Sequence, residues 1–255
     1  MATFPPTPQK RTAIVTGSGR NIGRAVALAL AREGVNVVVN GHTDQQSVEK
    51  VVNEIRENGG HAIARMADVS KHDEVAAMVA KAVTTFGSVD ILVSNVGIRR
   101  MQPFLDISLD DWQAVIDTNL SAAFYLTRNV IPHMRARKWG RIVLISGFDA
   151  FWGQVTLRAH NIAAKSGLHG LSKALAREFG QDGITANTVA PGAIDTVRDW
   201  SQYRHQPREQ LLKEIPLGRF GDVREIAAAC TYLCSEGGGF VSGQVLHVNG
   251  GHYMY

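Results

Sequence analysis

An alternation constrains this chain more than any other feature. Short β-rich runs, at Thr12–Thr16, Val35–Asn40, His61–Met66, Val89–Ser94, Arg141–Ser146, Ile184–Ala190 and Gln244–Val248, alternate with longer segments. Those segments, Ile22–Glu33, Gln45–Asn58, Asp73–Phe86, Trp112–Arg137, Ile162–Phe179 and Arg224–Leu233, carry apolar residues at three- and four-residue spacing and read as helices. Runs such as Val-Asn-Val-Val-Val and Ile-Leu-Val are nearly all apolar, as strands covered on both faces must be. Strand, helix and strand repeated in series predict an α/β fold: a doubly wound, parallel sheet with right-handed crossovers, seven strands wide and flanked by helices.

Glycines mark the helix ends: Gly34, Gly59-Gly60 and Gly87 each follow a helical segment, where a left-handed residue is useful. Ser108 opens Ser-Leu-Asp-Asp, an N-cap with acids in the first turn. With no Pro- or Ser-rich linker, 255 residues read as a short tail, 1–10, and one domain, 11–255. Its main irregular stretch, 191–216, follows the sixth strand, where such folds place a substrate lid. The charge is small, 27 Lys and Arg against 23 Asp and Glu for a net +4, and the basic residues are scattered. That favours a solvated surface over a nucleic-acid partner. The longest apolar run, Ala25 to Ala31, is too short for a bilayer, so no membrane partner is expected. Cys230 and Cys234 lack partner ligands; they read as buried reduced thiols of a cytoplasmic protein, with no metal site.

Directly after the first strand comes Thr16-Gly17-Ser18-Gly19-Arg20-Asn21-Ile22-Gly23, opening the first helix. Glycines there let the backbone approach a pyrophosphate, and free N–H groups at the helix start offer it positive charge. The loop resembles the TGxxxGxG turn of the short-chain dehydrogenase/reductase family. Asp68-Val69, Ser94-Asn95-Val96-Gly97, Asp117-Thr118-Asn119-Leu120, Pro191-Gly192-Ala193-Ile194-Asp195-Thr196 and Val248-Asn249-Gly250-Gly251 follow in the family's order, so the resemblance covers about residues 10 to 251. It implies a Rossmann fold, a nicotinamide cofactor, a small-molecule substrate and a homotetramer. It places the cofactor against Gly17, Ser18, Arg20, Asn21, Ile22, Asn40, Asp68, Val69, Asn95, Gly97, Lys165, Pro191, Gly192, Ile194 and Thr196. Asn21 replaces the family's middle glycine, and Asn tolerates positive φ better than other side chains. The second strand ends Val39-Asn40-Gly41-His42 without the acid that takes a ribose 2′-hydroxyl, and Arg20 can face a 2′-phosphate. NADP(H) is therefore the expected cofactor, with NAD(H) possible.

At the reacting end the family pattern breaks. The resemblance implies a Tyr and a Lys four residues apart on one helix, a Ser at the exit of the fifth strand, and an Asn on the central helix. Lys165 and Asn119 match, but Asn161 stands at the Tyr position and Gly147 at the Ser position, with Ser146 one residue earlier. An amide does not ionise near neutral pH, so Asn161 cannot act as the phenol does. The candidate catalytic set is Asn119, Lys165, Asn161, His160 and Ser146. His160 titrates near neutrality but sits about 100° around the helix from Asn161; Asp149 is a weaker candidate. Phe148, Phe151, Trp152, Met101 and Trp200 suggest an apolar or aromatic substrate. Hydride transfer on a carbonyl, alcohol or activated double bond, with atypical proton delivery, is the leading expectation. A cofactor-binding sensor, scaffold or partner without turnover, and a lyase or dehydratase, are the alternatives.

Overall fold

The computed structural model describes residues 10–151, 156–197 and 208–254. Seven strands form one sheet: β1 (Thr12–Val15), β2 (Asn36–Gly41), β3 (Ala62–Met66), β4 (Ile91–Ser94), β5 (Gly140–Ile145), β6 (Ile184–Pro191) and β7 (Val245–Val248). All are parallel, in the order β3-β2-β1-β4-β5-β6-β7. The order reverses between β1 and β4, and the crevice outside their C-terminal ends is where doubly wound sheets bind ligands.

The apolar runs decide the layers. Val37 and Val39 of β2 face one buried cluster with α1 (Asn21–Arg32), α2 (Gln45–Glu57) and α8 (Val223–Cys234). Ile14, Val38, Leu92 and Leu144 face the other, against α3 (His72–Phe86), α5 (Ala122–Ala136) and α6 (Ala159–Phe179). Alternate strand residues point to opposite faces, so a run apolar at every position is required to fill both. The expected punctuation is present: Ser108 accepts from Asp111 N–H at 3.0 Å, and Gly34, Gly59 and Gly87 adopt φ of 79°, 78° and 85°.

Two expectations are corrected. The helix expected over Trp112–Arg137 is α4 (Leu109–Ile116), a π-helical turn (Asp117–Ser121) and α5. The stretch expected to be irregular after the sixth strand contains a short helix, α7 (Arg208–Glu214), while 198–207, with Trp200, lie outside the described residues, as do the tail 1–9 and Trp152. Cys230 and Cys234 are buried free thiols, and burial pushes the Cys234 thiol up to about 12. Among the described residues no helix is long and apolar enough to cross a membrane, and no cluster could hold a metal ion.

Candidate active site

The glycine loop is built by polar side chains that spend themselves on backbone. Ser18 donates to Val15 C=O and accepts from Asn40 N–H, at 2.6 and 3.0 Å. Asn40 Oδ1 accepts from Gly17 N–H, and its Nδ2 donates to the carbonyls of Gly41, Arg65 and Ala67. Asn95 Nδ2 donates to Thr16 and Gly17 C=O, tying β4 to the loop. At Gly23 a Cβ would stand 2.3 Å from Gly17 C=O, so only glycine lets α1 start this close to the turn. Asn21 has φ of 48°, the positive value anticipated for its glycine-like place. The structure adds a role the sequence did not reveal. Its side chain donates to Val197 C=O and accepts from Val197 N–H, at 3.1 and 3.0 Å, fastening the loop to the segment after β6.

These pieces open onto a cleft of about 440 Å³ at the C-terminal edge of the sheet. Gly17, Arg20, Asn21, Ile22, Asn95, Gly97, Ser146, Asn161, Lys165, Pro191, Gly192, Ile194 and Thr196 line it together. Ser18, Asn40, Asp68, Val69, Asn119 and His160 are not in its lining. Ser18 and Asn40 shape the loop from behind. Asp68 accepts from Ser70 N–H and Oγ–H; those bonds outweigh partial burial and hold its carboxyl below the usual range.

At the reacting end, Lys165 Nζ donates to Ile145 C=O at 2.7 Å. Burial, with Arg99 nearby and Asp149 opposing, pulls its ammonium down to about 8. Asn119 Oδ1 accepts from Ile98 N–H at 2.8 Å while its Nδ2 donates to Ile98 C=O at 2.9 Å, so this residue positions the loop after β4. Asn161 Nδ2 donates to the same carbonyl at 3.0 Å. His160 is fully buried away from the cleft, with neither ring nitrogen partnered among the described residues; burial, with Arg100 adding to it, lowers its pKa. Ser146 lines the cleft floor, but its hydroxyl meets His169 Nε2 at 3.0 Å and Val189 C=O at 3.4 Å, within the packing of β5, β6 and α6. Strand alternation continues to Gly147, extended at φ −173°.

The place of the missing hydroxyl is filled from elsewhere. A Cβ on Gly147 would lie 2.6 Å from Asp149 Oδ1. Asp149 is buried, its Oδ2 accepts from Arg158 Nη1 at 3.0 Å, and Arg99 Nη2 stands at 4.0 Å. Of the expected aromatics, Phe148 lines the cleft, while Phe151 stacks on His169 at 4.2 Å and Met101 is outside the lining. No spacing rule points to Arg99, Asp149 and Arg158 together; only the fold brings them to one wall.

Comparison with known proteins places the chain in a family. A family profile described as enoyl-(acyl carrier protein) reductase matches residues 17–253. The chain belongs to the short-chain dehydrogenase/reductase family. It is 40% identical to a 3-oxoacyl-[acyl-carrier-protein] reductase FabG of Staphylococcus epidermidis over 245 residues, covering 96% of this chain and 99% of the relative. A 3-oxoacyl-[acyl-carrier-protein] reductase of Synechocystis is 39% identical, over 96% and 98% of the two chains. Among solved structures, a provisionally assigned gluconate dehydrogenase of Agrobacterium tumefaciens superposes with a TM-score of 0.88 at 35% identity, covering 96% of each chain. This short-chain dehydrogenase/reductase is thus an oxidoreductase that uses a nicotinamide cofactor. The glycine cradle fits that cofactor: Gly17 and Gly23 let the turn, β4's exit and the start of α1 close on one another, which brings the N-terminus of α1 to the cleft, and Asn95, Gly97, Lys165, Gly192 and Thr196 continue the wall beyond it.

Proposed function

We propose that the protein exchanges a hydride between NADP(H) and the carbonyl or secondary-alcohol carbon of a substrate with an apolar body, with proton handling that does not use a tyrosine. The observation that carries this reading is that one continuous cleft joins the glycine loop to Lys165. When bound, a nicotinamide supplies or accepts the hydride. The residues expected to hold it are Gly17, Arg20, Asn21, Ile22, Asn95, Gly97, Lys165, Gly192, Ile194 and Thr196, with Ser18, Asn40, Asp68 and Val69 setting the adenine end. Lys165 Nζ, with protons left beyond its bond to Ile145, is a donor at the reacting end of the cleft. Ile98, Phe148, Leu211 and Phe220 supply the apolar lining. The names of the relatives, for 3-oxoacyl thioesters and for gluconate, fit a carbonyl or alcohol carbon but differ on the body attached to it.

The preference for NADP(H) is supported by Arg20 in the cleft wall and by the second strand's ending in Asn40 and Gly41 without an acid. A charge-assisted bond to a 2′-phosphate is worth about 1.5–3 kcal/mol, roughly ten- to hundred-fold in affinity. Fluorescence titration is expected to give NADPH a Kd at least ten-fold below that of NADH, and Arg20→Ala to erase most of the gap. Equal affinities would overturn the preference. NADPH oxidation across a panel of ketones, quinones and enones tests turnover.

A second reading, a cofactor-binding protein without turnover, has one observation in its favour: the Asn161 amide is turned to Ile98 rather than held as a proton donor. Tight NADPH binding with no oxidation on the panel would select it. We also propose a homotetramer in the cytoplasm; exposed Phe104 and Leu105 in the turn before α4, Leu109 on α4 and Phe124 on α5 support a contact between subunits.

A further inference from the structure

We propose that the reacting end of this cleft has reversed hydrogen-bond polarity and takes its substrate as a secondary alcohol, held as a donor by Asp149. The inference rests on the oxidoreductase reading above. Where a serine hydroxyl could donate to a carbonyl oxygen, residue 147 is glycine and Asp149 Oδ1 stands 2.6 Å from the Cβ position. The other carboxylate oxygen is held by Arg158 Nη1, with Arg99 behind it, so Oδ1 is the oxygen left toward the cleft floor. A carboxylate paired with a guanidinium accepts hydrogen bonds and donates none.

The Tyr position is reversed in the same sense. The Asn161 amide has only one orientation that satisfies Ile98 C=O, with Nδ2 toward the carbonyl, and this turns Oδ1 the other way. Among the described residues no hydrogen bond ends on Asp149 Oδ1 or Asn161 Oδ1. Two positions that would carry hydroxyls therefore present acceptors, while the donors of this wall, Lys165 Nζ and the guanidinium groups of Arg99 and Arg158, are all cationic.

An alcohol oxygen serves both sides at once, accepting from Lys165 and donating its proton to Asp149. A ketone oxygen accepts from the cations but offers the carboxylate no proton, meeting it with lone pairs on both sides. An ammonium ligand is disfavoured because Arg99, Arg158 and Lys165 surround the single acid. The class that remains is a neutral hydroxyl.

The test uses the full chain loaded with 2′-phospho-ADP-ribose, which fills the nucleotide end and carries no nicotinamide, so that no hydride moves. Saturation-transfer NMR measures cyclohexanol and cyclohexanone in competition. The alcohol is expected to bind at least five-fold more tightly, and Asp149→Asn, whose amide can donate, to bring the two within two-fold. A wild-type preference for the ketone, no preference, or no binding of either probe would overturn the proposal, as would an alcohol preference that survives in Asp149→Asn. If that variant does not fold, the wild-type preference decides alone. Cofactor affinity is titrated separately: failure there removes the functional reading, whereas failure here with NADPH bound removes only the reversed polarity.

Discussion

Lys165 is the residue on which chemistry and stability meet. Its ammonium is buried and lowered to about 8, while an unfolded lysine keeps its proton to 10.5. Between those values the unfolded chain binds more protons than the folded one, so stability rises with pH through that window, and the folded state bears the burial penalty below it. Chemical denaturation from pH 7.5 to 10.5 is expected to show a rise on the order of 2 kcal/mol in the wild type, absent in Lys165→Met. Activity should move the other way, falling above about pH 8 as the cation is lost; a flat stability profile would mean the ammonium is less desolvated than its burial implies. Asn21 teaches a complementary lesson. Its tolerance of positive φ was legible from its place in the loop, but its clasp on Val197, 176 residues away, was not, because local sequence carries no record of what a side chain meets across the fold.

At the scale of elements, the sequence was most readable where burial demands a pattern. All seven strands lie within two residues of the runs read from the sequence, and central strands such as β2 and β4 are nearly all apolar because both their faces are packed. The π-helical turn at Asp117–Ser121 escaped notice because one widened turn hardly disturbs the apolar spacing of 26 residues, although π-turns often sit at functional sites. In that turn Asn119 closes a two-bond ring with Ile98, while Ile98 C=O also accepts from Asn161. Removing the amide leaves the part-buried Ile98 N–H without its acceptor, while Ile98 C=O keeps the bond from Asn161. Asn119→Ala is expected to cost about 1–3 kcal/mol in unfolding free energy and to weaken NADPH binding, because the loop carrying Gly97 is no longer held; thermal melts and fluorescence titration read the two effects. Loss of stability with unchanged cofactor affinity would confine Asn119 to a structural part. The acid wall of the site was legible only in part: Asp149 stood out as a weaker candidate, but its pairing with Arg158 and Arg99 did not, because none of the three sits at a position of the matched motifs.

Across the whole molecule, the sheet separates two apolar clusters, one behind the glycine loop and one behind Lys165's helix, and the cleft is the seam between them. The apolar surface of α4 and α5 belongs to neither cluster. Leu105, in the turn before α4, and Leu109 are 92% and 87% exposed, and a replacement of both by Asp is expected to turn the proposed homotetramer into smaller species by light scattering without loss of helical signal. An unchanged mass would place the subunit contacts elsewhere. The steric exclusion between Gly147 and Asp149 makes the order of amino-acid changes matter. Gly147→Ser alone drives its Cβ into a carboxylate oxygen and should cost about 1–3 kcal/mol in a denaturation titration, whereas Gly147→Ser combined with Asp149→Gly should not. A hydroxyl at position 147 is therefore expected to be tolerated best once position 149 has lost its carboxylate, so the two positions are coupled.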